Sequence, residues 1–515
     1  VLGVVGVAAL GGGVAWRLGS GEDPPPVLCS GARAQLDGVW DATQRERVRA
    51  AIAETSLPYA PAIWAHVGAV LDGYAEAWSA KYTEACEATS VRHEQSTEAM
   101  DLRMQCLSRR RVLLLETVAV LAKADAARVE RAADVVAALP SLDRCDDMAA
   151  LRAELPPPED SAVARRVEEN REVLMRAQAL RVAGDHYSAQ ALLERGGPGS
   201  IEALGYAPLE AEALLLRGRL DADAGRHADA AARLEQAYLL AVELGYEALE
   251  LEAVTELVTV VGIHLGRVDS ALPWGKTALA LARRAGTRPH ARALRSMGRL
   301  LLAQGRLSEA LDHCRRALEL EERATGADDL DVALALADVG RVLAAQGEHA
   351  EALGYHERAL ALEVEILGEH HPRVAESRYE LGRSLLQQHR LDDATAQLQR
   401  ALGVLDDGSE PPRPSLAPVL LQLAEAERQR DGLGAARSHA LRALAVLGPS
   451  PADPALLAAA RFTLARASWP EPRHRAEALA LAQQAREGFG ALGEPRRADE
   501  AAVAAWLEQV EPRDP

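Results

Sequence analysis

Apolar and polar positions follow a helical period along almost the whole chain. Between residue 29 and about 150, four stretches carry an apolar stripe, near 31–55, 58–88, 95–122 and 125–139. Trp64, Val67, Val70, Leu71, Tyr74 and Trp78 mark the second of them. Short polar joints separate the stretches and Pro140 stops the last, which predicts four amphipathic helices in an up-and-down bundle. Val1–Trp16 has another pattern, without charge and apolar apart from its glycines. A helix of that length reaches about 24 Å, and a bilayer core takes about 20 residues. Residues 1–18 therefore predict a truncated transmembrane helix, followed by a proline-rich linker over 19–28.

After a second proline-rich linker, 151–165, a repeat begins. Its mark is a small residue at Ala189, Ala230, Ala271, Ala310, Ala352, Ala394, Ala436 and Ala478, with successive intervals of 41, 41, 39, 42, 42, 42 and 42. A second small residue follows seven positions later, from Ala237 to Ala485 (Gly196 in the first copy). Twelve positions before the alanine stands Gly218, Gly298, Gly340 or Gly382. Turn glycines lie between: Gly184, Gly225, Gly266, Gly305 and Gly347, with His389 and Asp431 in two later copies. Small residues let antiparallel helices approach closely, and glycine supplies the left-handed cap that reverses the chain. This is the tetratricopeptide pattern. Its longer period resembles the variant found in kinesin light chains, and Gly368–Gly382 (GEHHPRVAESRYELG) resembles that variant's joint. Repeats are expected over 166–492 with a capping helix and tail over 493–515. The fold predicted is all-α: a membrane helix, a four-helix bundle with cysteines, then a right-handed α-solenoid of about eight helix pairs.

Composition supports helices. The chain is 48% hydrophobic but 3% aromatic, so Ala, Leu and Val carry the core. At 515 residues it exceeds what one core supports. With 58 basic and 76 acidic residues the net charge is −18, which argues against a nucleic-acid partner. Arg109-Arg110-Arg111 reads as a solvated helix face and His370-His371 as a helix start. There is no G-x-S-x-G, H-E-x-x-H or cysteine nucleophile context. No catalytic residue, metal or cofactor is predicted.

Cys29, Cys86, Cys106 and Cys145 fall in the bundle and Cys314 lies apart in the repeats. Without a C-x-x-C pair a zinc site is disfavoured; disulfides and unpaired thiols both remain. Disulfides fit a domain outside the cytoplasm. The pairing expected is Cys86–Cys106 with Cys29–Cys145, one of three connectivities.

The bundle carries a second resemblance. Trp78–Thr89 (WSAKYTEACEAT), Glu94-Gln95-Ser96, Asp101–Leu107 (DLRMQCL) and Arg109 are similar to the segment after the membrane helix in a group of large bacterial serine/threonine protein kinases. That resemblance implies a kinase domain before the membrane helix and tetratricopeptide repeats after the cysteine segment. The present chain has no Gly-rich nucleotide loop, no H-R-D and no D-F-G, so no active site is carried over. The resemblance implies a single-pass inner-membrane protein with an extracytoplasmic repeat region, the sensor of a receptor kinase. A soluble cytoplasmic adaptor or a repeat-type transcription regulator is the alternative.

The residue after each first-helix glycine is arginine: Arg219, Arg299, Arg341 and Arg383, with Tyr379 one turn before the last. In arrays resembling this one that position faces the concave side. A ladder of guanidinium forks there suits the carboxylates or phosphates of an acidic protein or peptide. The competing reading pairs each arginine with a neighbouring Asp or Glu.

Overall fold

The computed structural model describes residues 29–152, 155–195, 201–326, 329–409, 412–448, 453–493 and 496–510. The stretch Val1–Trp16, expected to be a membrane helix, lies outside them. Among the described residues no helix is long and apolar enough to cross a membrane. The single-pass inner-membrane placement is corrected accordingly. The described residues form helices and turns, with no strand.

The bundle opens with α1 (Ala42–Glu54), α2 (Ala60–Ser90) and α3 (Thr97–Leu121). α1 starts eleven residues later than its apolar pattern suggests. Gly38 takes a left-handed φ of 75°, and the Asp41 carboxylate accepts from the backbone N–H of Gly38 and Gln44 at 2.8 and 2.9 Å. Those bonds fix the helix start. The expected fourth helix is broken into α4 (Ala126–Glu130) and α5 (Ala132–Ala137), with α6 (Met148–Arg152) after a turn. At the break the Glu130 carbonyl bonds the His371 ring (2.9 Å) instead of continuing the helix. A four-helix bundle is thus corrected to three helices and a broken fourth.

Two disulfides tie the bundle, Cys29–Cys86 and Cys106–Cys145, and Cys314 is free and buried. The expected pairing of Cys86 with Cys106 and Cys29 with Cys145 is wrong. Cys86 sits near the end of α2 beside the incoming chain, whereas Cys106 lies in α3 against the turn Asp143–Asp146 that holds Cys145. Trp78 Nε1 donates to the Leu107 carbonyl at 2.8 Å and locks α2 to α3.

Among the described residues eight helix pairs follow: α7 (Ser161–Val182) with α8 (His186–Arg195), α9 (Ala207–Asp223) with α10 (His227–Leu244), and α11 (Glu247–Leu257) with α12 (Val268–Ala285). Next come α13 (Thr287–Ala303) with α14 (Leu307–Thr325), α15 (Leu330–Gln346) with α16 (His349–Leu367), and α17 (Pro372–Gln387) with α18 (Leu391–Leu405). The last pairs are α19 (Leu416–Gln429) with α20 (Leu433–Leu447) and α21 (Pro454–Ser468) with α22 (Arg475–Ala491); α23 (Arg497–Val510) covers the end.

The repeated alanines explain the stacking. From Ala189 to Ala478 all eight are fully buried, because a larger side chain would push the helix pairs apart. Within a pair the helices cross still more closely. A Cβ on Gly298 would lie 2.5 Å from Cys314 Sγ, and one on Gly340 would lie 2.7 Å from the His356 ring. The third pair departs from this rule, since Val258–His264 continues α11 as a π-helix. That wider turn moves the close-contact position to Gly262, where a Cβ would lie 3.0 Å from Ala271 across the pair and 2.3 Å from Leu300 on the next first helix. His389 and Asp431, which replace turn glycines, hold the same left-handed conformation at φ 55° and 58°.

Candidate functional site

Curvature selects the face on which a partner is held. First helices of neighbouring repeats touch one another directly, as α7 does α9 and α13 does α15. Second helices are spread further apart, so the first helices line the inside of the curve. Arg219, Arg299, Arg341, Arg383 and Tyr379 all lie on these inner helices.

The inner face is a relay of ion pairs running from repeat to repeat. Arg171 bonds Glu212 at 3.1 Å, and Arg181 bonds Asp223 at 2.9 Å. Arg219 reaches both Glu256 (2.8 Å) and Glu252 (3.0 Å) on the next first helix. Arg295 crosses to Asp338 at 2.9 Å, which also takes Arg341 from its own helix. Arg383 pairs with Glu380 at 3.3 Å and lies against Tyr379. Glu425 takes Arg428 at 2.7 Å and Arg466 at 3.4 Å. Burial alone would raise the Asp338 carboxyl, but Arg295 and Arg341 outweigh it and hold its pKa below the ordinary value. The carboxylate is ionised at neutral pH and both arginines are committed to it.

The expected ladder of free guanidinium forks is thus mostly neutralised. Arg219, Arg341 and Arg383 have acidic partners. Arg299 does not. Among the described residues it makes no hydrogen bond and no ion pair, and neither does Arg292 two turns earlier on the same face of α13. Both are exposed. The cause is local: three residues before Arg341 stands Asp338 and three before Arg383 stands Glu380, but three before Arg299 stands Ser296. Partial desolvation among the surrounding helices lowers the Arg299 pKa although the side chain reaches solvent, and Arg341 and Arg295 add to that against Asp338. Its charge in turn helps depress His264, which stacks on His227 with ring centroids 4.6 Å apart. Arg292 was missed in the sequence because it belongs to no conserved offset from the small residues.

Two other places gather polar side chains. An open cleft of about 500 Å³ in the bundle is lined by Lys81, Glu84, Gln95, Arg103 and Asp146. Its charges satisfy one another, since Lys81 holds Asp143 (3.0 Å) and Asp146, while Arg103 holds Glu84 and Asp146. His371 is the N-cap of α17, its Nδ1 accepting from the Arg373 N–H at 3.1 Å. Among the described residues no three His, Cys, Asp or Glu side chains converge as metal ligands.

Comparison with known proteins adds the family of the repeats. The Tetratricopeptide repeat family matches residues 257–323, 289–363 and 331–407. No curated protein matches the chain. Among solved structures, BtubC (BKLC) from P. vanneervenii is 20% identical over 44% of this chain and 94% of its own, with a TM-score of 0.37. The apo form of RapI is 13% identical over 68% and 98%, TM-score 0.43. A Rap protein complexed with Competence and Sporulation Factor is 15% identical over 81% and 98%, TM-score 0.42. The chain carries tetratricopeptide repeats, and these build a scaffold for protein–protein interaction.

Proposed function

We propose that the chain is a non-catalytic recognition module that binds a protein or peptide along the inner face of its repeats, with an acidic group of the ligand seated at Arg292 and Arg299. The observation that carries this reading is the gap in the relay of ion pairs. Every other inner-face arginine described above is ion-paired with an acid, and among the described residues these two exposed guanidiniums are bonded to none, Asp338 acting on Arg299 and Glu256 on Arg292 only at a distance. A carboxylate entering there finds donors that need not first be released from an internal partner. Arg219, Arg341, Arg383 and Tyr379 then border the ligand as an already neutralised rim.

The test is selection from a random peptide library on the immobilised protein, compared with the Arg292→Glu/Arg299→Glu variant. A charge-assisted hydrogen bond is worth about 1.5–3 kcal/mol, so losing one lowers affinity at least about tenfold. Wild type is expected to enrich acidic peptides and the variant to lose them. Equal enrichment by both would place recognition elsewhere.

A second reading is favoured by the bundle. The residues similar to the receptor kinases, Trp78, Cys86, Cys106 and Leu107, are the ones that bolt α2 to α3 and anchor both disulfides. On this reading the groove is the sensory input of a signalling kinase. It requires a kinase catalytic domain in the same polypeptide, and a parent sequence without one would remove it.

A further inference from the structure

Eleven residues after the repeated alanine, five of the described repeats place an apolar side chain: Ala241, Ala282, Leu405, Leu447 and Phe489. The fourth and fifth repeats hold Glu321 and Glu363 there, 42 residues apart and each 2% exposed. Burial penalises an ionised carboxylate far more than its protonated form, so an acid in such a place keeps its proton to higher pH. Two buried carboxyls at equivalent positions of consecutive repeats are thus a titratable feature that the ion-pair relay does not use.

The two acids meet different neighbours. Glu363, on α16, is bonded by Ser377 Oγ of α17 and faces Arg373 and Glu376 on that helix and Arg341 on α15. Arg341 is already held by Asp338, and Arg373 by Asp134 at 3.2 Å. Glu321, on α14, lies between α13 and α15. α14 runs antiparallel to α13 with Cys314 at Gly298; seven residues further, Glu321 comes level with buried Ala291, next to Arg292. Asp331 on α15 and Arg295, Arg288 and Arg292 on α13 face it, while Glu322 on its own helix turns to Arg358 of α16 at 3.2 Å. Two of those three arginines serve other acids. Arg295 holds Asp338 at 2.9 Å, and Arg288 lies 3.5 Å from Asp331 and 3.8 Å from Asp329. Arg292, the guanidinium offered to a ligand, acts on Glu321 at a distance. Burial, then Asp331, pushes the Glu321 carboxyl up to about 7 against Arg295, Arg288 and Arg292. Burial takes Glu363 up to about 7 as well, against the Ser377 hydrogen bond. Near neutral pH both acids stand between their two forms, but the arginines that Glu363 faces are committed elsewhere.

We propose that the proton on Glu321 regulates the ligand site: protonated, Glu321 leaves the Arg292 guanidinium to the acidic group of the ligand, and ionised it competes for that guanidinium from behind. This rests on the recognition role proposed for Arg292 and Arg299. The sign follows from reciprocity. An acidic group seated at Arg292 puts negative charge near Glu321 and favours its protonated form, so binding takes up a proton and a proton favours binding. Affinity is highest below about 7 and falls as pH rises past it. The carboxylates of a peptide stay ionised throughout that range and do not contribute.

The probe is an acidic peptide enriched from the random library on the wild-type full chain at about pH 6. It is titrated at about pH 6 and about pH 8.5 into wild type, Glu321→Gln and Glu363→Gln, glutamine keeping the shape of the protonated acid. Wild type should bind at least about fivefold more weakly at the higher pH. Calorimetry should show proton uptake as a binding heat that varies with the ionisation enthalpy of the buffer. Glu321→Gln should lose that fall and that uptake, and Glu363→Gln should behave as wild type. Histidine titration is common to wild type and Glu321→Gln and cancels between them. Glu321→Leu guards against misfolding, since the sixth repeat has Leu405 at this place, and it should match Glu321→Gln. Without peptide, carbon NMR of the glutamate-labelled chain should find two carboxyls titrating near 7, one lost in each glutamine variant. Equal pH dependence in wild type and Glu321→Gln would overturn the regulation and leave the recognition role standing. So would a Glu321 carboxyl that titrates in the ordinary range, or a loss of pH dependence in Glu363→Gln as large as in Glu321→Gln. A peptide bound by none of the proteins at either pH would refute the recognition role, and the regulation with it.

Discussion

Replacing His356 by leucine should stabilise the protein, and more so in acid. His356 is 2% exposed, its Nε2 has no hydrogen-bond partner, and its ring fills the space behind Gly340. The same place, sixteen residues after the first-helix glycine, holds Leu234 in the second repeat and Leu398 in the sixth. The repeat geometry therefore accepts leucine. Burial, then the charges of Arg341 and Arg383, push the His356 pKa from 6.5 down to about 4. The sign follows from linkage. As pH falls through 6.5 the unfolded chain takes up a proton that the folded chain refuses, so stability present above 6.5 is lost between there and about 4. At pH 5 that loss is on the order of 2 kcal/mol from the gap between the two values. An unpaired buried polar group costs a further ~1–3 kcal/mol at any pH. His356→Leu should gain about 1–2 kcal/mol at pH 7.5 on this basis, and about 2 more at pH 5. Long arrays need not unfold in one step, so the readout is native-state hydrogen exchange of α15 and α16 at both pH values, beside urea melts. A variant less stable at pH 7.5, with the acid slope unchanged, would refute the reasoning.

Gly298→Ala should destabilise by about 1–3 kcal/mol through overpacking, because its Cβ would meet Cys314 Sγ at 2.5 Å; adding Cys314→Ala should recover most of the loss in the same melts. His371→Ala removes the α17 cap, worth about 1 kcal/mol, and the Glu130 hydrogen bond, worth about 1 kcal/mol. His371→Asn keeps the cap, so exchange at the start of α17 should recover in the asparagine variant but not in the alanine one. Thiol titration should count one free cysteine in the unfolded unreduced chain and five after reduction. In the folded protein Cys314 should resist alkylation, since burial pushes its thiol up to about 12. Closing loops with sequence separations of 57 and 39 removes chain entropy worth about 4 kcal/mol each, so reduction should weaken the bundle well before the repeats.

What could be read from the sequence depended on how local each cause is. The spaced alanines and glycines were legible because close helix contact admits only small residues at fixed offsets. The third repeat resisted, since a π-turn transfers the close contact from the expected place to Gly262. Connectivity of the cysteines was not legible, because it depends on where the chain before α1 and the turn Asp143–Asp146 return in space. The broken fourth helix was hidden for the same reason: His371, which claims the Glu130 carbonyl, is 241 residues away. The inner arginines lie on first helices, and their neutralisation was half visible. Asp338 and Glu380 stand three residues before Arg341 and Arg383, and Ser296 before Arg299, all within local reach. Arg219's acids come from the next repeat, 33 and 37 residues on, where only the stacked structure joins them.

The proposed function rests on reception of an acidic ligand by the inner face at α13. Its most direct measurement is hydrogen-exchange footprinting of the full chain with and without an acidic peptide selected from the library. Protection is expected on α11, α13 and α15, and its loss in Arg292→Glu/Arg299→Glu. A footprint confined to the outer helices α10, α12 and α14, or to the bundle cleft around Lys81 and Arg103, would contradict it.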